Sequence, residues 1–125
     1  MKSDIKNEHD IKVFLDAFYE KVKLDKKIAF IFTDIANLDW DDHMPKIYGF
    51  WEAILLGKPG FNGDVMGAHI RLNKKVKLKT EHFDRWIKLF NETINEMFEG
   101  NVANEAINRA NIIRNTIEYN VSNAN

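Results

Sequence analysis

The sequence predicts an all-α fold, and three observations lead to this prediction. Four segments repeat apolar residues every three or four positions, which places them on one face of a helix. No segment of useful length alternates apolar and polar residues, as a half-buried strand would. The first 44 residues contain neither Gly nor Pro, whereas most residues of these two types fall at positions 57–67. We therefore expect long helices on both sides of one glycine-rich stretch.

The first helix is predicted from about Asp10 to Leu24. Its apolar face is formed by Ile11, Leu15, Phe18 and Val22. Tyr19 follows Leu15 by one turn and lies at the edge of this face. The short apolar segment at residues 28–32 is too brief to assign by its period. We expect a helical turn there, because the segment lies between two helices.

The second helix is predicted to begin near Asp41 or Asp42 and to end at Gly57. With Asp42 as N-cap, Pro45 falls in the first turn, where backbone N–H groups have no intrahelical partner. Gly57 is typical of a helix C-terminus. The predicted inner face consists of His43, Ile47, Phe50 or Trp51, and Ile54. Because Pro45 lies so close to His43, the orientation of His43 stays open.

Two further helices are predicted in the C-terminal part of the chain. One starts at Thr80 as N-cap and ends before Gly100, and the other runs from Asn101 to about Val121. The apolar face of the first consists of Phe83, Trp86, Ile87, Phe90, Ile94 and Met97 or Phe98. The apolar face of the second consists of Val102, Ala106, Ala110, Ile113, Ile117 and Val121. The small residues early in the last helix permit close helix packing.

Length and composition restrict the class of protein. The 125 residues fit one domain, residues 1–125, and the 45% of apolar residues supply a core, so a disordered chain is not expected. The absence of cysteine excludes disulfides, thiolate zinc sites and cysteine-bound iron–sulfur clusters. The net charge of −1 argues against a nucleic-acid partner. The polar N-terminus and the absence of a long apolar run predict no secretory signal, no membrane partner and a cytoplasmic location.

The four histidines are the main candidates for chemistry, because the standard catalytic and nucleotide-binding motifs are absent. His43 lies on the inner face of the second helix, and His69 has apolar neighbours on both sides. For each of these two alone, an ordinary partly buried histidine is the more common interpretation. His9 and His82 are predicted to be exposed at the surface.

Tyr19 and Trp86 raise a related question, because each carries one polar hydrogen at or beside a core-facing position. Ordinary packing with a satisfied donor is the common interpretation of each alone. Together with a histidine, however, they come from three different helices. Burying three separate donors gains little for a small domain, since each donor must be paired. A shared polar ligand inside the core would satisfy all three.

Four segments resemble the truncated haemoglobins, in particular their third group: FLDAFYEKVKLDKKIAFIF, DDHMPKIYGFWEAILLG, GAHIRL and EHFDRWIKLF. The likeness extends from about Phe14 to Phe98. The Phe-Tyr pair, the His before a Phe-Trp, the isolated His after the glycine-rich stretch and the Trp four residues before Phe90 occur in the family's order. Gly49 is alone in the second helix, and the absence of the glycine pairs found in other truncated groups favours the third group.

The resemblance implies a shortened globin fold, a two-over-two helical sandwich around haem b (iron protoporphyrin IX). It also implies a long non-helical region before the proximal histidine. His69 resembles the proximal iron ligand. The residues that resemble those of the family's distal pocket, where the iron-bound ligand lies, are Tyr19, His43, Ile47 and Trp86. The residues expected to contact the haem are Phe32, Ile47, Met66, His69, Arg71, Leu72, Trp86 and Phe90. For Arg71, a propionate partner and a solvated charge are both open.

The expected ligand is dioxygen, with nitric oxide or peroxide as further ligands of the same pocket. Two or three hydrogen bonds of ~0.5–1.5 kcal/mol each would slow ligand release about 10²-fold. This favours redox or detoxification chemistry over oxygen transport, because a carrier must release its cargo. Peroxidase-like or dioxygenase turnover stays open and would require a separate electron-donating reductase. The alternative function is a cofactor-free helical module for protein interaction.

Overall fold

The computed structural model describes residues 2–35, 39–61 and 63–123. Within these ranges all the regular structure is helical and no strand is present, which confirms the predicted all-α class. The helices are α1 (Glu8–Leu24), α2 (Trp40–Leu56), α3 (Val65–Lys75), α4 (Thr80–Met97) and α5 (Asn101–Asn123), with a π-helical turn at Ile31–Ile35. None of the helices described is long and apolar enough to cross a lipid bilayer.

Helix α1 begins at Glu8, slightly before the predicted Asp10. The side chain of Asn7 supplies the cap, since its Oδ1 accepts a hydrogen bond from the Asp10 N–H at 3.0 Å. The predicted apolar face of α1 is completely buried. The amphipathic period therefore located the helix, while the local cap set its first residue.

Helix α2 begins earlier than predicted, and the assignment of Asp42 as its N-cap is wrong. Asp39 is the cap, and its carboxylate accepts hydrogen bonds from the N–H groups of Asp41 at 3.1 Å and Asp42 at 3.4 Å. Pro45 consequently lies inside the helix, beyond its first turn. The C-terminal end at Gly57 is as predicted, with the left-handed φ of 67° that glycine adopts without strain.

Helix α3 is not among the predicted helices, and it contains His69. The side chain of Asp64 caps it by accepting a hydrogen bond from the Gly67 N–H at 2.9 Å. The non-helical stretch before His69 therefore ends at Asp64. The helix escaped prediction because it is short and contains Gly67, which lowers intrinsic helix propensity.

The ends of α4 and α5 are set by long-range partners as well as by local caps. Thr80 is the first residue of α4 and Lys79 precedes it as N-cap, so the assignment of Thr80 as N-cap is wrong. The hydroxyl of Thr80 instead donates to Glu118 on α5. The carboxylate of Asp4 accepts the N–H groups of Val102 at 3.0 Å and Ala103 at 2.9 Å, and thereby caps α5 from the N-terminal segment.

The helices pack as two layers. Helix α1 packs against α2 and α4, α4 packs against α5, and both α2 and α3 contact α5. Aromatic rings fill the centre, where Phe90 lies 5.8 Å from Phe14 and 5.3 Å from Phe18 between ring centroids. A smaller apolar cluster, formed by Phe83, Ile117 and Val121, joins α4 to α5. The larger core thus lies where α1, α2 and α4 meet, directly beside Tyr19.

Candidate functional site

His69 lies in the middle of α3 with its ring held by the backbone of the same helix. Its Nδ1 is 2.8 Å from the carbonyl oxygen of Val65, one turn earlier. Because a carbonyl only accepts, Nδ1 carries the proton and Nε2 presents a lone pair. Burial lowers the pKa of His69, although the bond to the Val65 carbonyl acts in the opposite direction. The ring is therefore a neutral imidazole, the form that binds metal ions.

His43 lies one turn into α2 and is half-buried. Burial lowers its pKa, and the charge of Lys46 acts in the same direction. Pro45 does not turn His43 away from the core, since its ring centroid lies 6.4 Å from that of Tyr19.

Tyr19 is buried in α1, with 8% of its surface exposed, and its hydroxyl lies beside Trp86 of α4. Burial raises the pKa of Tyr19 to about 12, although the hydrogen bond from the Trp86 side chain acts to lower it. The indole N–H can only donate, so it donates to the phenol oxygen. The Tyr19 hydroxyl is thus protonated at neutral pH, and its own hydrogen is a donor for another group.

The Trp86 indole is held in a stack of aromatic rings. Its ring lies 5.5 Å from that of Phe90 at an interplanar angle of 21°, and Phe90 stacks in turn on Trp51 at 5.1 Å. Phe18 contacts Trp86 edge-on at 5.4 Å. Offset stacks and edge contacts are the arrangements that aromatic pairs favour. The packing of these rings therefore fixes the position of the Trp86 indole N–H.

The other predicted haem contacts lie at three different places. Phe32, Ile47 and Leu72 are partly buried against the larger core, together with Trp86. Met66 instead packs against the smaller cluster that contains Phe83. Arg71 is exposed, with its guanidinium 3.7 Å from the Asp64 carboxylate. The structure thus places Phe32, Ile47 and Leu72 against the same core as Tyr19, with Phe32 in ring contact with it at 6.2 Å, whereas Met66 packs in the smaller cluster and Arg71 is exposed.

The two histidines outside the predicted site lie elsewhere. His9 is exposed near the start of α1. His82 is half-buried rather than fully exposed, because its ring packs edge-on against Phe30 at 5.9 Å. Its Nδ1 accepts a hydrogen bond from the Lys79 N–H at 3.0 Å, so His82 acts as part of the cap of α4.

Trp40 is a residue of this site that the sequence reasoning missed. Its ring centroid lies 5.8 Å from those of both Tyr19 and His43, and it stacks on Phe32 at 6.5 Å. The prediction began α2 after Trp40 and therefore left this side chain outside any periodic face. Assigning Asp39 as the N-cap would have placed Trp40 one turn before His43.

The chain matches no protein-family model. A group 3 truncated haemoglobin of Campylobacter jejuni is 33% identical to it over 116 residues, which cover 90% of this chain and 89% of that protein. The crystal structure of group III truncated haemoglobin from C. jejuni matches the fold with a TM-score of 0.83 at 31% identity, covering 97% of this chain and 95% of that one. The chain belongs to the group III truncated haemoglobins.

This membership confirms the family suggested by the sequence and the shortened globin fold that goes with it. It also supports a haem- and ligand-binding role for this truncated haemoglobin. The residues present fit such a group. A neutral imidazole with an unprotonated Nε2 comes from α3, the polar hydrogen of Tyr19 comes from α1, and apolar side chains of the larger core pack around Tyr19.

Proposed function

We propose that this truncated haemoglobin binds haem b with Nε2 of His69 as the proximal iron ligand. The observation that carries the proposal is the 2.8 Å contact between His69 Nδ1 and the Val65 carbonyl. This contact selects the tautomer and restrains ring rotation, which is how metal-bound histidines are commonly oriented. When bound, haem supplies an iron that takes a diatomic ligand and exchanges single electrons.

Apolar side chains around His69 and His43 are proposed to bury the faces of the porphyrin and to exclude water. We assign this role to Phe32, Ile47, Met66, Leu72, Trp86 and Phe90. The placement of most of them supports this role, because they belong to or pack against the core that contains Tyr19, whereas Met66 packs against the smaller cluster. Arg71 lies two residues after His69 with an exposed guanidinium, and we assign it to a propionate at the edge of the site.

On the other side of the pocket, Tyr19, His43, Ile47 and Trp86 are proposed to receive dioxygen, nitric oxide or peroxide. The Tyr19 hydroxyl donates a hydrogen bond to the ligand, and Trp86 holds the phenol oxygen in place from behind. A site with strong donors retains a partly negative ligand. This supports redox or detoxification chemistry over oxygen transport. We propose that a separate reductase supplies the electrons for such chemistry. We also propose that residues 1–125 form one domain.

Titration with hemin tests the proposal. The unmodified protein is expected to develop a Soret band at one equivalent, and His69→Gly to lose the ferrous five-coordinate histidine spectrum. Added imidazole is expected to restore that spectrum in His69→Gly, because the free ligand occupies the position vacated by the side chain. His82→Ala is the matched control and is expected to behave as the unmodified protein. A folded protein that stays colourless with hemin would contradict the proposal and favour the protein-interaction alternative.

A further inference from the structure

Trp40 is the first residue of α2, and its ring contacts two side chains of the proposed ligand site, Tyr19 of α1 and His43 of α2. Its ring lies edge-on to His43, at an interplanar angle of 80°, and tilted by 57° against Tyr19. Tyr19 and His43 are themselves in edge contact at 86°. The three rings therefore form a closed triangle, in which the positions of Tyr19 and His43 both depend on Trp40.

Lys23 holds Trp40 from the surface side of the molecule. Its Nζ lies 4.4 Å from the centroid of the indole ring, within the range of a cation–π contact. Lys23 follows Tyr19 by one turn on α1, so a single face of α1 supplies both neighbours of the indole. The Lys23 side chain is 32% exposed and pairs with Glu20 at 3.3 Å. Trp40 thus lies between a charged surface and the buried ring of Tyr19.

We propose that Trp40, held by Lys23, is a positioning residue that orients Tyr19 and His43 and closes the pocket on its α1 side. The indole fills the space between the first turn of α2 and the end of α1. It thereby restricts rotation of the His43 ring and separates the Tyr19 hydroxyl from water. Trp40 sets the rate at which a diatomic ligand enters and leaves. This inference rests on the proposed function.

Flash photolysis of the carbonmonoxide complex of the haem-loaded protein tests the inference. Trp40→Ala is expected to raise the carbonmonoxide association rate about tenfold and to lower the fraction that recombines before escape, because ring contacts of this kind are lost. Trp40→Phe is expected to stay within about twofold of the unmodified protein, since it keeps an aromatic ring. Lys23→Met is expected to change the rate in the same direction by a smaller factor. Lys26→Met, at an exposed lysine nearby, is the control and should leave the rate unchanged.

The infrared C–O stretching band separates positioning from a merely structural role. Trp40→Ala is expected to split or broaden the band, because Tyr19 and His43 take up more than one orientation around the ligand.

In the hemin-free chain, nuclear Overhauser contacts between the Trp40 and His43 rings are expected in the unmodified protein. If circular dichroism shows that Trp40→Ala does not fold, Trp40→Leu takes its place, because it keeps most of the apolar volume.

Two negative outcomes are distinguishable. If the unmodified protein forms no Soret band, the proposed function fails. If it binds hemin and carbon monoxide but a folded Trp40→Ala or Trp40→Leu keeps the same association rate and the same C–O band, the role of Trp40 is overturned. Equal rates in Lys23→Met and Lys26→Met would overturn the part assigned to Lys23.

Discussion

Two tyrosines of this protein show how similar pKa values arise from different surroundings. Burial raises the pKa of Tyr19 to about 12 within the core, beside the Trp86 indole. Tyr48 also reaches about 12, through desolvation and through its hydrogen bond to the Asp16 carboxylate. The hydroxyl of Tyr48 donates to a carboxylate, whereas the hydroxyl of Tyr19 is the one proposed to donate to the bound ligand. The two residues therefore form a natural test pair.

Replacing Tyr19 with Phe is expected to raise the oxygen dissociation rate about fivefold, because one hydrogen bond of roughly 1 kcal/mol is lost. Stopped-flow displacement of oxygen from the reduced, haem-loaded protein measures this rate. Tyr48→Phe is the control and is expected to leave the rate within about twofold of the unmodified value. Equal effects of the two substitutions would show that Tyr19 does not donate to the ligand.

Among the helices, α3 is joined to its neighbours by a buried polar side chain as well as by apolar packing. Asn73 lies one turn after His69 and is only 7% exposed. Its amide donates to the Val121 carbonyl of α5 at 3.3 Å, and its oxygen accepts the Leu78 N–H at 2.9 Å in the turn toward α4. A single residue thus links the helix that contains His69 to its two neighbours.

Asn73→Ala is expected to lower the free energy of unfolding by about 1–3 kcal/mol, because the partly buried N–H of Leu78 loses its acceptor and the Val121 carbonyl loses a donor. The haem-loaded variant is also expected to release hemin faster to an acceptor protein, since the helix that contains His69 is less restrained. Urea unfolding and hemin transfer measure the two effects. Lys74→Ala, at the exposed neighbouring position, should change neither. A variant with normal stability and normal hemin release would argue against this role of Asn73.

Asp4 couples the N-terminal segment to α5 in a way that depends on pH. Desolvation acts to raise its pKa, but the N–H groups of Val102, Ala103 and Ile5 outweigh it, so the pKa lies below the ordinary value of 3.8. The pKa of Asp4 is thus lower in the folded state than in the unfolded state. The Asp4 carboxylate therefore stabilises the fold fully at a pH above its unfolded-state pKa, and this stabilisation is lost as the pH falls through its folded-state pKa.

Asp4→Ala is therefore expected to cost about 1 kcal/mol at pH 7, as is typical for the loss of a helix cap. The difference from the unmodified protein should shrink below about pH 4, where the carboxylate becomes protonated. Thermal unfolding between pH 3 and pH 7 measures this difference, with Glu92→Ala on the exposed face of α4 as the control. A difference that stays constant over this range would contradict the cap.

At the scale of the whole molecule, the two layers meet through Phe90, which is fully buried and stacked against both Trp51 and Trp86. Phe90→Ala is expected to destabilise the protein by about 3–5 kcal/mol, because it removes a large ring from a packed core. The melting temperature should fall by about 10–20 °C. Differential scanning calorimetry of the hemin-free chain measures it, and Ile112→Ala at a 60% exposed position is the control. A fall of only a few degrees would show that α1, α2 and α4 do not share one cooperative core.

The periodic helices were predictable because their information is local. The faces of α1, α4 and α5 recur every three or four residues, and the structure buries most of these positions. The exact ends were not predictable in the same way. Asp39 and Asp42 are the same residue type, three positions apart, so composition does not decide which of them caps α2.

Spacing along single helices was sufficient to predict the helical class and the core-facing placement of Tyr19, His43 and Trp86. The family was predicted from the resemblance of four segments, which the relatives confirm. Helix packing was needed to place Trp40 against Tyr19, to bury Asn73 of α3 against α5 and to assign Met66 to the smaller cluster. These three arrangements join residues that are near in space but belong to different helices. A local period has no information about such contacts, because they are decided by which faces of the assembled helices meet.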